Sequence, residues 1–206
     1  MIYDISMDIS ENMMVYKNKL DKYPTIKQVN TFERDGNYES ELTMNLHTGT
    51  HIDYPLHMIE NGENSNTENL SILTGRAKVF DLTHVSNSIG LSDILGFEIL
   101  ENDFVIFKTR NSLTDVFDYE FIYLDESAAI YLKEKRVRAV GIDALGIERN
   151  QLGYPTHKAL LGFGIIILEG LRLKAIEAGE YDIYCLPLKI KGVEAVPVRA
   201  ILVKWV

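Results

Sequence analysis

His47-Thr48-Gly49-Thr50-His51-Ile52-Asp53-Tyr54-Pro55-Leu56-His57 holds three of the chain's five histidines, where an even spread would put about a quarter of one. Every candidate ligand carries an odd number. Read as an extended strand, the segment projects His47, His51, Asp53 and His57 to one face and Thr48, Thr50 and Ile52 to the other. Gly49 shares the ligand face and leaves a gap of about 7 Å along the strand, room for an ion with bonds of about 2 Å. Pro55 then ends or edges the strand. The four-residue spacing of His47 and His51 also suits a metal-binding helix. That reading fares worse, because Gly49 and Pro55 disfavour a helix interior, Asp53 would turn away from His51, and the expected intervening glutamate is missing. A structural role beside a turn accounts for one histidine. It does not account for three with an aspartate on one face, so a metal site is expected.

Length and composition bound the rest. A chain of 206 residues, 46% apolar and 25% charged, suits one globular domain over residues 1–206. Its net charge of -9 and the lack of a Lys/Arg cluster argue against nucleic acid or an anionic membrane and for a small-molecule substrate. The single cysteine, Cys185, sits in an apolar run, reads as a core residue and suits a reducing cytoplasm. Met1 to Ser10 carries Asp4 and Asp8 in place of a basic flank and shows no signal peptide. The apolar run Ile165 to Leu168 is far too short to span a bilayer.

Along the chain, Met1 to Ser10 alternates as a strand. Glu11 to Asn37 reads as a long irregular excursion whose Met13 to Tyr16 portion is placed to touch a substrate. Tyr38 to Asn45 is expected to be a strand leading into the histidine segment, and Glu60 to Asn69 a loop. A turn at Thr74-Gly75 precedes a strand over Ala77 to Leu82, with an isolated surface His84 beyond it. Leu91 to Leu100 predicts a short helix introduced by Ser92, and Phe104 to Lys108 a buried strand. An amphipathic helix beginning near Asp125 and ending at Glu134 leads to a buried strand over Val137 to Ile142, a succession typical of an α/β layer. Leu173 to Ala178 predicts a helix stopped by Gly179, and Tyr181 to Ile190 with Val196 to Val203 a closing hairpin turned at Lys191-Gly192.

His157 and Glu169 lie twelve positions apart, and one unbroken helix would separate them by about 18 Å. Gly162 and Gly164 break such a helix, and Ile165 to Leu168 is β-branched enough to return as a strand ending at Glu169. Spacing alone leaves a capping or surface role open for both.

The histidine segment closely resembles the signature of the cyclase family of metal-dependent hydrolases, which includes bacterial kynurenine formamidases (arylformamidases) and isatin hydrolases. Asp4-Ile5-Ser6, Gly141-Ile142-Asp143, the His157 to Glu169 spacing with Gly170-Leu171, Leu186-Pro187-Leu188 and Pro197-Val198-Arg199-Ala200 extend the resemblance over nearly the whole chain. It implies a single α/β domain with a mixed sheet, of the swivelling β/β/α type, assembled as a homodimer or homotetramer. It also implies one or two divalent ions, zinc first and manganese second. His47, His51 and Asp53 would hold one ion, with Asp53 and Glu169 shared with a second that His157 also binds, and His57 would be the catalytic acid/base. The implied reaction is hydrolysis of a carbon-nitrogen amide bond, aryl formamides such as N-formylkynurenine first and cyclic amides such as isatin second. A non-catalytic metal- or ligand-binding protein on the same fold is the rival reading. Tyr16, the expected substrate-binding residue, is followed by Lys17-Asn18-Lys19 where the formamidases tend to have tryptophan and a Pro-Gly turn. Gly146 and Glu148 stand where relatives often carry serine and aspartate.

Overall fold

Strand β4 (His51–Asp53) closes a barrel. In chain order the elements of the computed structural model are β1 (Ile2–Asp4), β2 (Thr25–Asn30), α1 (Phe32–Asp35), β3 (Glu39–Thr43), β4, β5 (Thr74–Asp81), β6 (Ser88–Ile89), α2 (Leu91–Ile94), β7 (Phe104–Lys108), β8 (Tyr123–Leu124), α3 (Glu126–Glu134), β9 (Ala139–Ile142), α4 (Pro155–Leu161), β10 (Ile166–Glu169), β11 (Gly179–Pro187) and β12 (Ala195–Val203). Residues 1–67 and 69–204 are described; residue 68 of the expected loop and residues 205–206 of the expected domain lie outside them. Strands β12, β11, β5, β7, β9, β10 and β4 follow one another in a mixed sheet. Residues 195–197 of β12 pair with β4, which shuts the ring, while residues 201–203 pair with β1. The expected α/β class is observed, with the mixed sheet closed into a seven-stranded barrel.

Strand periodicity divides the core in two. In β7, Phe104 and Ile106 point into the barrel with Leu168, Ile183, Cys185 and Val196, while Val105 and Phe107 point outward. Outside the barrel, α3 lays Ala128, Ala129 and Leu132 on the sheet and α4 adds Leu160 and Leu161. Helix α3 starts where its sequence says it should, with the Asp125 carboxylate accepting from Ala128 N–H at 3.1 Å; such a cap stabilises by about 1 kcal/mol. No helix among the described residues is long and apolar enough to cross a membrane.

Several expectations are corrected. The first strand stops at Asp4, because Ser6 N–H turns to the Asp4 carboxylate and Met7 N–H to Thr50 Oγ1, drawing the chain off the sheet. Residues 11–37 are more ordered than their composition suggests. They contain β2 and the short helix α1, capped by Thr31 and closed by left-handed Gly36. Strand β3 pairs with β2 in an exposed two-stranded arm rather than running into the histidine segment. Gly75 lies inside β5, paired with Ile183, not in a turn. Helix α2 is a single turn begun at Gly90, whose N–H donates to the Asp93 carboxylate at 2.7 Å. Residues 173–178 form no helix: Leu173 N–H donates to Ser112 Oγ and Ile176 C=O accepts from Lys108 Nζ, so tertiary partners take the groups a helix would use. Strands β11 and β12 do form the expected antiparallel hairpin.

Candidate metal centre

Only part of the histidine segment is a strand. His47 lies in a turn, Gly49 adopts a left-handed φ of 74°, and His57 ends a short 3-10 turn begun by Pro55. Strand alternation therefore places just His51 and Asp53 together, with Ile52 pointing into the barrel between them. The pairing of β4 with β10 supplies the next group. His51 stands opposite Glu169 and Asp53 opposite Ile167 in antiparallel register, so all four side chains share the outer face. Helix α4 covers that face and brings His157, as the break at Gly162 and Gly164 requires.

Gly49 does not provide the open space expected of it. A Cβ on Gly49 would lie 3.1 Å from the Met13 side chain, and one on Gly170 would lie 2.4 Å from the Gly49 carbonyl oxygen. The two backbones can touch because residue 170 is glycine. That carbonyl accepts from His51 Nδ1 at 3.0 Å, which turns His51 Nε2 toward the carboxylates. The buried threonines of the segment act as ties: Thr50 Oγ1 donates to Gly170 C=O and Thr48 Oγ1 to Lys22 C=O.

The expected ligands converge. Asp53 Oδ1 lies 3.0 Å from His47 Nδ1 and 3.5 Å from His51 Nε2. Glu169 reaches His51 Nε2 at 3.4 Å through Oε2 and His157 Nε2 at 3.6 Å through Oε1. His57 joins from the other wall, its ring 4.3 Å from that of His47 and 5.7 Å from that of His157. Among the described residues two donor sets result, His47 with Asp53 and His57, and His51 with Asp53 and Glu169, the atoms of each within 4.8 Å of one another. They differ from the expected grouping in that His57 joins His47 and Asp53 in place of His51, and His157 stands in neither set.

The side chains present fit a cation. His51 and Asp53 are fully buried, yet His51 Nε2 and both Asp53 carboxylate oxygens complete no hydrogen bond among the described residues. Leaving a buried carboxylate without a completed hydrogen bond is costly. Without a metal, protons fill the role. Burial alone would push His51 down, but Glu169 and Asp53 outweigh it and hold its pKa at about 9. His157 is likewise raised, against burial, to about 10 by Glu148 and Glu169. Glu169, which burial would raise, is held well below the carboxylate range by His157 and His51. Burial pushes His57 the other way, below the usual histidine value, and so keeps it neutral at pH 7.

His47, His57, Glu148, His157 and Glu169 line a cavity of about 260 Å³, while His51 and Asp53 are buried outside its lining. Tyr16 forms one wall, pinned edge-on against Phe117 and Phe121 at ring distances of 5.4 and 6.3 Å. Of the Met13 to Tyr16 portion expected to meet substrate, only Tyr16 lines this cavity; Met13 and Val15 are buried anchors. His84 is exposed and outside the cavity, as expected.

The "Cyclase" family model, described as "Putative cyclase", matches residues 3–149. The chain belongs to the cyclase family. A kynurenine formamidase of Geobacillus thermodenitrificans is 35% identical over 170 residues, 80% of this chain and 79% of that protein. The solved structure of a "predicted metal-dependent hydrolase" from Bacillus stearothermophilus is 50% identical, with a TM-score of 0.91 over 98% of this chain and 97% of the other. Isatin hydrolase A of Labrenzia aggregata, 22% identical, shares the fold at a TM-score of 0.87 over 98% of this chain and 93% of its own.

One residue of this cyclase-family site escaped the sequence reading in its role. Glu148 Oε2 accepts from His157 Nδ1 at 2.7 Å and from His157 N–H at 3.1 Å, fixing the tautomer that points Nε2 at Glu169. It lies in the buried segment 141–149, whose Ile147 N–H also donates to Glu169 Oε1 at 2.6 Å. The sequence marked Glu148 only as a departure from the family. Its placement depends on how that segment folds over the end of β9.

Proposed function

We propose that the protein hydrolyses a carbon-nitrogen amide bond in a small molecule, with a divalent ion held by His47, His51 and Asp53 and a second position shared by Asp53, Glu169 and His157. The observation that carries this reading is the set of buried His51 and Asp53 donor atoms that complete no hydrogen bond among the described residues, gathered against His47 and Glu169, which line a substrate-sized cavity. Imidazole and carboxylate donors suit zinc first and manganese second. The ion would polarise an amide carbonyl and lower the pKa of a water toward neutrality.

The chain's own groups supply the remainder. Glu148 and the Gly49 carbonyl hold the His157 and His51 rings in their tautomers. His57 is assigned as the acid/base: it stands neutral on the cavity wall, placed to take a proton from the attacking water and pass it to the departing nitrogen. Tyr16 provides an aromatic wall for the substrate's ring. Relatives named kynurenine formamidase support aryl formamides as the first substrate class.

Hydrolysis of N-formylkynurenine by zinc-loaded protein, compared with an EDTA-treated sample and Asp53→Asn, tests the reading. Turnover lost in both controls is expected. Absence of turnover by metal-loaded protein would overturn the aryl formamidase assignment, and hydrolysis of isatin instead would move it to cyclic amides. We also propose a homodimer or homotetramer, because the β2–β3 arm and α1 leave Ile26, Phe32, Tyr38 and Leu42 exposed; a monomer in sedimentation velocity would refute this.

A further inference from the structure

Lys17, Lys19 and Lys22 fall within six residues and line the same cavity as His57, His157 and Glu169. In a chain of net charge -9, three cations at one cleft call for a cause. Ion pairing within the chain is not that cause. Lys22 Nζ donates to the neutral Asn45 side chain at 2.7 Å, and Lys17 Nζ sits 5.2 Å from the Tyr16 ring centroid; none of the three forms an ion pair among the described residues.

The backbone presenting them is strained and fixed. Lys17 and Asn18 adopt left-handed φ values of 57° and 50° in succession, a conformation that side-chain-bearing residues rarely adopt. Strain of this kind persists where surrounding structure enforces it. Here Val15 is buried, Asn18 N–H donates to Val15 C=O, Lys19 N–H donates to Tyr16 C=O, and the Tyr119 hydroxyl donates to Lys17 C=O at 3.1 Å. Glu148 and Glu169 in the cavity lining, with Asp53 buried beside them, would repel an approaching anion, and the lysines supply the opposite sign in the same lining.

We propose that Lys17, Lys19 and Lys22 select a net-anionic substrate: an amide whose remote portion carries a carboxylate or another fixed negative charge and lies against the Tyr16 side of the cavity. This rests on the amide-hydrolase reading and narrows its substrate. A formamide with matched positive and negative groups gains less from the lysines than one with a negative group alone.

The test compares N-formylanthranilate, an anion, with formanilide, its neutral counterpart, on zinc-loaded wild type and Lys17→Ala/Lys19→Ala. Wild type is expected to favour the anion in kcat/KM. That preference should fall about tenfold for each lysine removed, chiefly through KM, and shrink as salt rises. Lys17→Arg/Lys19→Arg keeps the charge and should keep the preference, which separates charge from collapse of the turn. No preference in wild type, or one unchanged in the alanine variant, overturns the proposal. Should neither formamide be turned over, the aryl formamide assignment fails and the lysines are still judged by calorimetric binding of benzenesulfonate and benzyl alcohol to zinc-loaded protein. Selective sulfonate binding lost in the alanine variant supports anion selection; equal binding in both proteins overturns it.

Discussion

Glu148 shows how a residue that touches no substrate can govern a metal site. Its carboxylate accepts from both the ring and the backbone of His157, so the imidazole can turn neither its ring nor its lone pair away from Glu169. Replacing it with glutamine preserves volume and weakens that hold. Glu148→Gln is expected to lower zinc affinity about 10- to 100-fold, read by calorimetric titration of EDTA-stripped protein; an unchanged affinity would remove Glu148 from the support of the site. Gly170 acts through backbone shape instead. Gly170→Ala would drive a Cβ to 2.4 Å from the Gly49 carbonyl that orients His51, at a φ of 71°. Gly164 has φ 78° and open space around its Cβ, so Gly164→Ala isolates the conformational cost, about 1–2 kcal/mol. Urea unfolding should show Gly170→Ala losing on the order of 2–4 kcal/mol and clearly exceeding that control.

At the scale of elements, the site arises from the pairing of two short strands that the sequence holds far apart. Antiparallel register sets His51 beside Glu169 and Asp53 beside Ile167, while Ile52 and Leu168 go to the barrel interior. A one-residue slip would send both metal-facing side chains of β4 into the core. The glycines of the neighbouring turns, the tie from Thr50 Oγ1 to Gly170 and the pairing of β4 with β12 oppose such a slip. Helix α4 then needs only its first turn, begun by Pro155, to deliver His157 to the Glu169 end of β10.

For the whole molecule, the barrel closes through the strand that carries the ligands, which links metal binding to global stability. Zinc at about 100 times its dissociation constant should stabilise the fold by about 2.7 kcal/mol, so chelation should lower the thermal midpoint. Proton linkage fixes the direction with pH. In metal-free protein the raised values of His51, about 9, and His157, about 10, contribute stability that is fully present below about pH 6.5 and lost as pH rises through those values. Zinc takes the imidazoles neutral, so binding at pH 7 should release about two protons and tighten as pH rises. Titrations in buffers of different ionisation enthalpy count those protons; zero release would mean that His51 and His157 are not ligands.

The donor inventory and the elements built on local rules can be read from the residues in order. The cap at Asp125, the apolar run of β7, the break after α4 and the strand ending at Glu169 were legible because each depends on near neighbours. Crowding of His47, His51, Asp53 and His57 was legible too, although the alternation used to align them holds only for His51 and Asp53. Residues 173–178 and the β2–β3 arm misled, because their hydrogen-bond partners, Ser112, Lys108 and one another, are not visible in local periodicity. That Glu169 stands beside His51, that Glu148 orients His157 and that the lysines after Tyr16 line the same cavity follows from the folded arrangement alone. Strand register and barrel closure join residues more than a hundred positions apart, and no local pattern of side chains encodes which pairs will meet.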